Sequence, residues 1–376
     1  MQFINTLNKY NKKQLLSTSS LSHANPQKRK YKYFFIIPSY NEYNYIHNTL
    51  DSIKSQNQKL LKESLVVIVI NNSNETEQSI CKNNFKTYKS IINARYNFEI
   101  IGLDCFSKKF ALDKKVAGVG LARKIGMDYC IPFANRDSLF CSIDADTILN
   151  SDYLKIVSKI FYNNQLSAAV VNFKHQVTKN KINQAAIIKY ERIIKSIARN
   201  IHKTGSPYGF VSMGSTIICT LYAYVSVGGM PAKKATEDFY FLQKLAKFRG
   251  VYKFKKILVY PSARNEQRVY LGTGYRIKQY EKDPLFQDLM IHQSAYTALK
   301  NLYQIINLKW DSSSKEILAS IREKNGKLSK YLNSNNFVYK INQIQKNAVN
   351  KKQFLNQFHK WFDSFKIYKF LKIYGN

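Results

Sequence analysis

Acidic residues are scarce in this chain. Asp and Glu number 24 against 59 Lys and Arg, a formal net charge of +35 over 376 residues. The first thirty residues carry no acid, and from Lys324 to Asn376 the only one is Asp363. Such an excess predicts anionic partners: nucleotides, phospholipid headgroups, lipid phosphates or nucleic acid. The competing explanation is a general bias toward Lys and Asn. Cysteine is also sparse. Cys81, Cys105, Cys130, Cys141 and Cys219 are scattered, odd in number and without a CxxC pair. That argues against a disulfide or zinc framework and for a reducing compartment. No apolar run reaches the roughly 18 residues of a membrane-spanning helix. The N-terminus has no continuous apolar core of the kind a secretory signal needs. The expectation is therefore a cytoplasmic protein, with peripheral attachment to the inner face of the membrane as a variant.

What is present points to a globular enzyme. The hydrophobic fraction is 45% and the aromatic fraction 14%, enough for a substantial core. The length suits about two domains. Residues 1–30, with "STSSLSHANPQ", read as a flexible basic arm. From residue 31 short apolar runs recur: "KYFFIIP", "SLVVIVI", "FEIIGLD", "SLFCSID", "SAAVVNF" and "VYKFKKILVYP". Most are continuous rather than alternating, as in strands covered on both faces. Helical stretches lie between them, near 43–56, 76–93, 119–130, 152–164, 181–203 and 236–248. Alternating strands and helices imply an α/β sandwich with a mainly parallel sheet. Ligands bind such sheets at the carboxyl ends of the strands. "PSYNE", "NNSN", Asp104 and "DADT" all fall at those ends, so they read as one site. After about residue 275 the strand pattern stops. The remainder, 281–376, reads as helical, basic and aromatic.

Four constellations could carry chemistry. Asp144 and Asp146 close a buried strand two residues apart, a pattern that offers hard oxygen ligands to Mg²⁺ or Mn²⁺. The bland alternative is that Asp146 with Thr147, or Asp152, caps the next helix. Glu237 and Asp238 open a helix in "ATEDFYFLQKLAKFRG". Either Thr236 caps and the acids favour the helix dipole, or a carboxylate there takes a proton from an attacking hydroxyl. In "AGVGLARKIG", Gly118 and Gly120 admit either an anion beside Arg123 or close helix packing. In "ARNEQRVYLGTGYR", Arg264, Arg268 and Arg276 surround Gly272 and Gly274, a basic loop that is either merely solvated or able to close on a diphosphate.

Taken in order, these segments resemble the family 2 glycosyltransferases of the GT-A fold. "IIPSYNE" resembles that family's first nucleotide-binding strand and loop, "GVGLARKIG" its G-x-G-x-A-R-N segment, and "SIDADT" its D-x-D motif. The stretch "GFVSMGSTIICTLYAYVSVGGMPAKKATEDFYF" resembles its acceptor-side segment. The similarity spans roughly residues 32–275. It implies a Rossmann-like GT-A sandwich at 31–280 and single-sugar transfer from a nucleotide-diphosphate sugar to a glycan or lipid-linked hydroxyl. It also implies inversion at the anomeric carbon and a divalent metal. Pro38, Tyr40 and Glu42 would hold the nucleoside, Asp144 the ribose or sugar, and Asp146 the metal, with Asp144 beside it. Asp238 would be the base and Glu237 would place the acceptor or sugar. Arg123 would meet the nucleotide, and Arg264 or Arg268 the diphosphate. Two departures matter. Asn71 or Asn72 stands where an acidic base contact is usual, and Q-x-x-R-W is missing around Arg268, as for a non-processive enzyme.

In the tail, Phe354, Phe358, Trp361, Phe365 and Tyr368 recur at helical spacing, flanked by Lys360, Lys366, Lys369 and Lys372. The stripe reads as a helix packed on its own domain or as an interfacial helix on anionic lipid. Two other function classes compete. A nucleic-acid-binding protein would explain the charge but not carboxylates at strand ends. A sugar nucleotidyltransferase would need a Gly-rich basic signature after the first strand, which "PSYNEYNYI" lacks.

Overall fold

The structure is a computed structural model that describes residues 1–266 and 272–375. The chain divides into two compact units. One comprises Met1–Ile188 and Ser212–Lys278, the other Lys189–Val211 and Gln279–Asn376.

The first unit is built on an eight-stranded sheet. The strands are β1 (Tyr31–Ser39), β2 (Ser64–Asn71), β3 (Glu99–Cys105), β4 (Ala134–Ser142), β5 (Ile148–Leu149), β6 (Ala168–Phe173), β7 (Ile217–Thr220) and β8 (Tyr252–Tyr260). Their order is β3-β2-β1-β4-β7-β6-β8-β5. β3, β2, β1 and β4 run parallel, and β6 runs parallel to β8. β7 is antiparallel to both its neighbours, and β5 to β8. The sheet is mainly parallel, as the continuous apolar runs require. β2 is buried along its whole length, from Ser64 to Asn71. The sequence reading found six of these strands. β5 has two residues and β7 four, too short to register as apolar runs.

Helices cover the sheet: α1 (Gln2–Lys13), α2 (Ile46–Lys54), α3 (Gln58–Leu61), α4 (Gln78–Asn93), α5 (Val119–Cys130), α6 (Tyr153–Asn164), the start of α7 (Lys181–Lys203), α8 (Leu221–Ser226), α9 (Glu237–Arg249) and most of α10 (Thr273–Tyr280). Two glycines let α5 pack closely, Gly126 against the sheet and Gly120 against the segment that leads into α9. A Cβ on Gly126 would meet Ile36 Cγ2 at 2.7 Å and Val69 Cγ2 at 2.9 Å. A Cβ on Gly120 would meet the carbonyl oxygen of Lys233 at 2.3 Å, that of Pro231 at 2.7 Å and Glu237 Cβ at 2.9 Å. Their small size serves close packing.

Within the N-terminal arm, α1 is a helix that packs on α8. It is held by a buried polar network. Asp128 Oδ1 accepts from the hydroxyls of Tyr10 (2.6 Å) and Tyr224 (2.7 Å), and Oδ2 accepts from Lys124 Nζ (2.8 Å) and the Leu16 amide (3.0 Å). Lys124 also donates to the Tyr10 hydroxyl (2.8 Å) and the Gln14 carbonyl (2.9 Å). Burial and the neighbouring Asp128 carboxylate push both phenols up, so they stay protonated donors.

The second unit is helical: the remainder of α7, then α11 (Gln293–Leu308), α12 (Ser314–Lys324), α13 (Gly326–Ser334), α14 (Phe337–Asn347), α15 (Lys351–Trp361) and α16 (Ser364–Gly375). The tail's aromatic stripe does not lie on one helix. The chain breaks at Phe362–Asp363, between α15 and α16. Phe354 and Phe358 are fully buried, whereas Phe365 and Tyr368 are 37% and 49% exposed.

Candidate active site

Four parallel strands end at one edge, at Ser39, Asn71, Cys105 and Ser142. The carboxylates singled out from the sequence gather there. After β4 the backbone turns: the Thr147 amide donates to the Asp144 carbonyl at 3.1 Å. The turn is pinned from outside. Thr49 Oγ1 donates to the Ala145 carbonyl (2.9 Å) and Gln176 Nε2 to the Asp146 carbonyl (2.8 Å). Neither acid acts as a helix cap. Asp152, at the cap position of α6, makes no side-chain cap bond and pairs instead with Lys256 at 3.1 Å.

Two arginines tie the acids together. Arg123, on α5 and 3% exposed, donates to Asp144 through one Nη and to Glu237 through the other. The guanidinium, expected from the resemblance to meet the nucleotide, lies buried between these two carboxylates. A Cβ on Gly214 would sit 2.0 Å from Arg123 Nη2, so that glycine makes room for the guanidinium. The second arginine is Arg264. Its Nη2 donates to both oxygens of Glu42 (2.9 and 3.0 Å), its Nε to Asp146 Oδ2 (3.1 Å) and its Nη1 to Glu266 (3.1 Å). The guanidinium lies 3.9 Å from the centre of the Tyr45 ring, a cation–π arrangement. Arg268 lies outside the described residues.

The loop after β1 is fixed by α4. Asn41 adopts a left-handed backbone, φ 60°, a conformation Asn tolerates. Its amide donates to Asn84 Oδ1 at 2.9 Å, and the Tyr43 amide donates to Asn83 Oδ1 at 3.2 Å. Sequence reasoning missed Asn83 and Asn84. The signal was a pair of amides in the middle of an otherwise ordinary helix. Pro38 is buried within β1, and Tyr40 and Glu42 follow it, Glu42 3% exposed. Asn72 is committed internally. It donates to the carbonyls of Ser73 (3.0 Å) and Phe106 (3.2 Å) and accepts from Asn84 (2.9 Å), so it braces the strand ends. Asp104 Oδ1 accepts from the amides of Phe106 (3.0 Å) and Ser107 (2.9 Å) and so shapes a turn.

α9 begins under strain. Thr236 has φ 66° and makes no side-chain cap bond. A β-branched residue in the left-handed region is unfavourable and persists only where its surroundings impose it. It delivers Glu237, 3% exposed, toward Arg123. Burial pushes Glu237 up to about 7, opposed by Arg123. Burial also raises Asp238, which Asp144 reinforces and Arg123 opposes.

Among the described residues no group of three or more His, Cys, Asp or Glu is arranged to hold a metal ion. Asp144 and Asp146 supply two hard oxygen donors. That fits a Mg²⁺-type ion, which takes one or two carboxylates and completes its shell with water and substrate phosphates.

Residues 34–217 match the family model described as Glycosyl transferase family 2. This segment is a family 2 glycosyltransferase domain. It includes most of β1, β2 to β6, Arg123, Asp144 and Asp146, and it ends before Glu237. Among solved structures, the chain is similar to residues 1–349 of TarS from S. aureus in complex with UDP-GlcNAc. That pair shares 14% identity, covering 84% of this chain and 90% of the other at a TM-score of 0.43. It is similar also to the mannosyltransferase PcManGT from Pyrobaculum calidifontis in complex with GDP-Man and Mn²⁺, at 13% identity, 96% and 94% coverage and a TM-score of 0.41. No curated protein sequence matches the chain.

Proposed function

We propose that the chain moves one sugar from a nucleotide-diphosphate sugar to an acceptor hydroxyl, with inversion. The observation that carries this reading is the pair of arginine-linked carboxylate clusters at the strand ends of a family 2 domain. Asp238 accepts the proton of the acceptor hydroxyl. An acid raised by burial suits that task near neutral pH. The freed oxygen attacks the anomeric carbon. The bond from that carbon to the donor's diphosphate oxygen breaks, and the electron pair leaves with the nucleoside diphosphate. One displacement inverts the centre. Glu237, held by Arg123, places acceptor or sugar beside Asp144. Pro38, Tyr40 and Glu42 form the nucleoside's side of the site, and Arg264 faces the diphosphate. Asp146, with Asp144, would hold a divalent metal, which when bound neutralises charge on the phosphates.

Asp238→Asn tests the mechanism. Transfer falls by about 10²–10⁴-fold, the usual worth of a general base, while donor binding persists. Full transfer in that variant refutes it. Release of a nucleoside diphosphate, and not pyrophosphate from a triphosphate, separates this reading from a sugar nucleotidyltransferase.

The acceptor is a saccharide or a lipid-linked saccharide, and α16 supports the second. Phe365, Tyr368 and Ile373 are exposed, Ile373 by 62%, among Lys366, Lys369 and Lys372. Aromatic and aliphatic side chains mixed with lysines suit an anionic headgroup layer. Phe365→Ser with Tyr368→Ser weakens flotation with vesicles containing phosphatidylserine. Equal flotation removes the membrane contact.

A further inference from the structure

The second unit carries a cleft of about 330 Å³ that the proposed transfer chemistry does not use. It is lined by Trp310, Asp311, Ser312, Ser313, Gln345 and Phe354, among others. We infer that this cleft is a saccharide-binding site, separate in composition from the carboxylate clusters of the first unit.

The loop joining α11 to α12 forms one wall and is held rigid. Gln345, on α14, donates through Nε2 to the Trp310 carbonyl (3.1 Å) and the Ser312 carbonyl (2.8 Å). Ser313 closes the loop in a capping box with Glu316. The indole of Trp310 meets the fully buried Phe354 ring edge to face, 6.2 Å between centres. Phe354 thus fixes the orientation of the partly exposed indole. A site that is already ordered loses less entropy on binding.

The lining selects the ligand class. A pyranose has a face of C–H groups and an edge of hydroxyls. The indole offers an electron-rich apolar face to the first. Ser312, Ser313 and the exposed Asp311 offer polar groups to the second, and an ionised carboxylate accepts from two adjacent hydroxyls. The same carboxylate disfavours phosphate, so a nucleotide fits poorly despite the chain's positive charge. The volume lies at the small end of ligand pockets, about 300–1,000 Å³, which suits one or two sugar residues.

The chain has two tryptophans, so full-length protein carrying Trp361→Phe reports on Trp310 alone. A panel of neutral mono- to tetrasaccharides, a nucleoside diphosphate and a Lys-rich peptide is titrated against its fluorescence. The expected result is a saturable shift with at least one saccharide. Asp311→Asn, at an exposed position that leaves the fold intact, weakens that binding by about tenfold, the low end for losing a hydrogen bond to a charged group. Trp310→Ala abolishes retention on the same saccharide immobilised, with nucleotide binding to the protein unchanged. Failure of every saccharide, unchanged affinity in Asp311→Asn, or a response to the peptide or nucleotide alone overturns the inference. Loss of glycosyl transfer in Asp238→Asn bears on the catalytic reading and leaves this one standing.

Discussion

Removing the Asp128 carboxylate tests whether the N-terminal helix belongs to the enzyme's folded core. Asp128 is 1% exposed and Lys124 7%. In Asp128→Ala the Lys124 ammonium keeps two neutral acceptors, the Tyr10 hydroxyl and the Gln14 carbonyl, and loses its only charged one among the described contacts. The Tyr10 and Tyr224 hydroxyls and the Leu16 amide lose an acceptor together. Breaking one side of a buried ion pair costs about 3–5 kcal/mol. Each neutral hydrogen bond adds about 1 kcal/mol, but the members share one site and do not sum. The expected loss is therefore about 4 kcal/mol, or roughly 8–16 °C in Tm at 2–4 °C per kcal/mol for a unit of this size.

Asp128→Asn keeps the shape and one acceptor oxygen, so it costs about 1.5–3 kcal/mol, the scale of a hydrogen bond to a charged group. Asp128→Leu combined with Lys124→Met removes both charges and recovers most of the loss. Urea unfolding measures the energies, and limited proteolysis within residues 1–30 reports the release of α1. A loss below about 1 kcal/mol in Asp128→Ala, with no new cleavage, refutes the argument. The ion pair would then be incidental, and α1 would be held by apolar contact such as the edge-on packing of Phe3 against Tyr222 at 5.8 Å.

Two further outcomes follow from the site. Arg264→Ala releases Asp146 and Glu42 from their shared cation. Mn²⁺ binding without donor, measured by calorimetry, tightens by about tenfold, since an adjacent opposite charge biases a carboxylate on that scale; unchanged affinity refutes it. Glu237 titrates near 7, above its unfolded value, so the folded state binds the extra proton. Its contribution to stability is full below about pH 4.5 and is lost as pH rises through about 7. Glu237→Gln flattens the decline in unfolding free energy between pH 5 and 8, and an identical slope in both proteins contradicts the assignment.

The main strands were legible because a strand covered on both faces must be apolar at every position, and that leaves a run. β5 and β7 left none because two or four residues carry too little pattern. α1 was illegible for a different reason. Its sequence is polar, and its anchor exists only when Tyr10 meets Asp128, 118 residues away. The same distance limit governs the site. Asp144, Asp146, Glu237 and Asp238 could be placed at strand and helix ends from local pattern alone. Their partners could not, because Arg123 reaches Glu237 across 114 residues and Arg264 reaches Glu42 across 222.

Those partners explain how a chain so poor in acids affords several buried ones in one place. Both connecting cations are arginine. A guanidinium presents several donors in a fixed plane and can bridge two carboxylates, where an ammonium acts as a point charge. Arg123 therefore joins the end of β4 to the start of α9, and Arg264 joins the loop after β1 to the end of β4. The groups form two carboxylate–arginine–carboxylate triads, Glu42–Arg264–Asp146 and Asp144–Arg123–Glu237, joined through the Asp144–Asp146 turn. A charge arriving at Asp146 acts on Arg264, which it shares with Glu42. Any shift of that turn also moves Asp144, and through Arg123 it reaches Glu237 beside the proposed base. In the proposed reaction, occupancy by the donor and the charge state of Asp238 are therefore linked through these ion pairs.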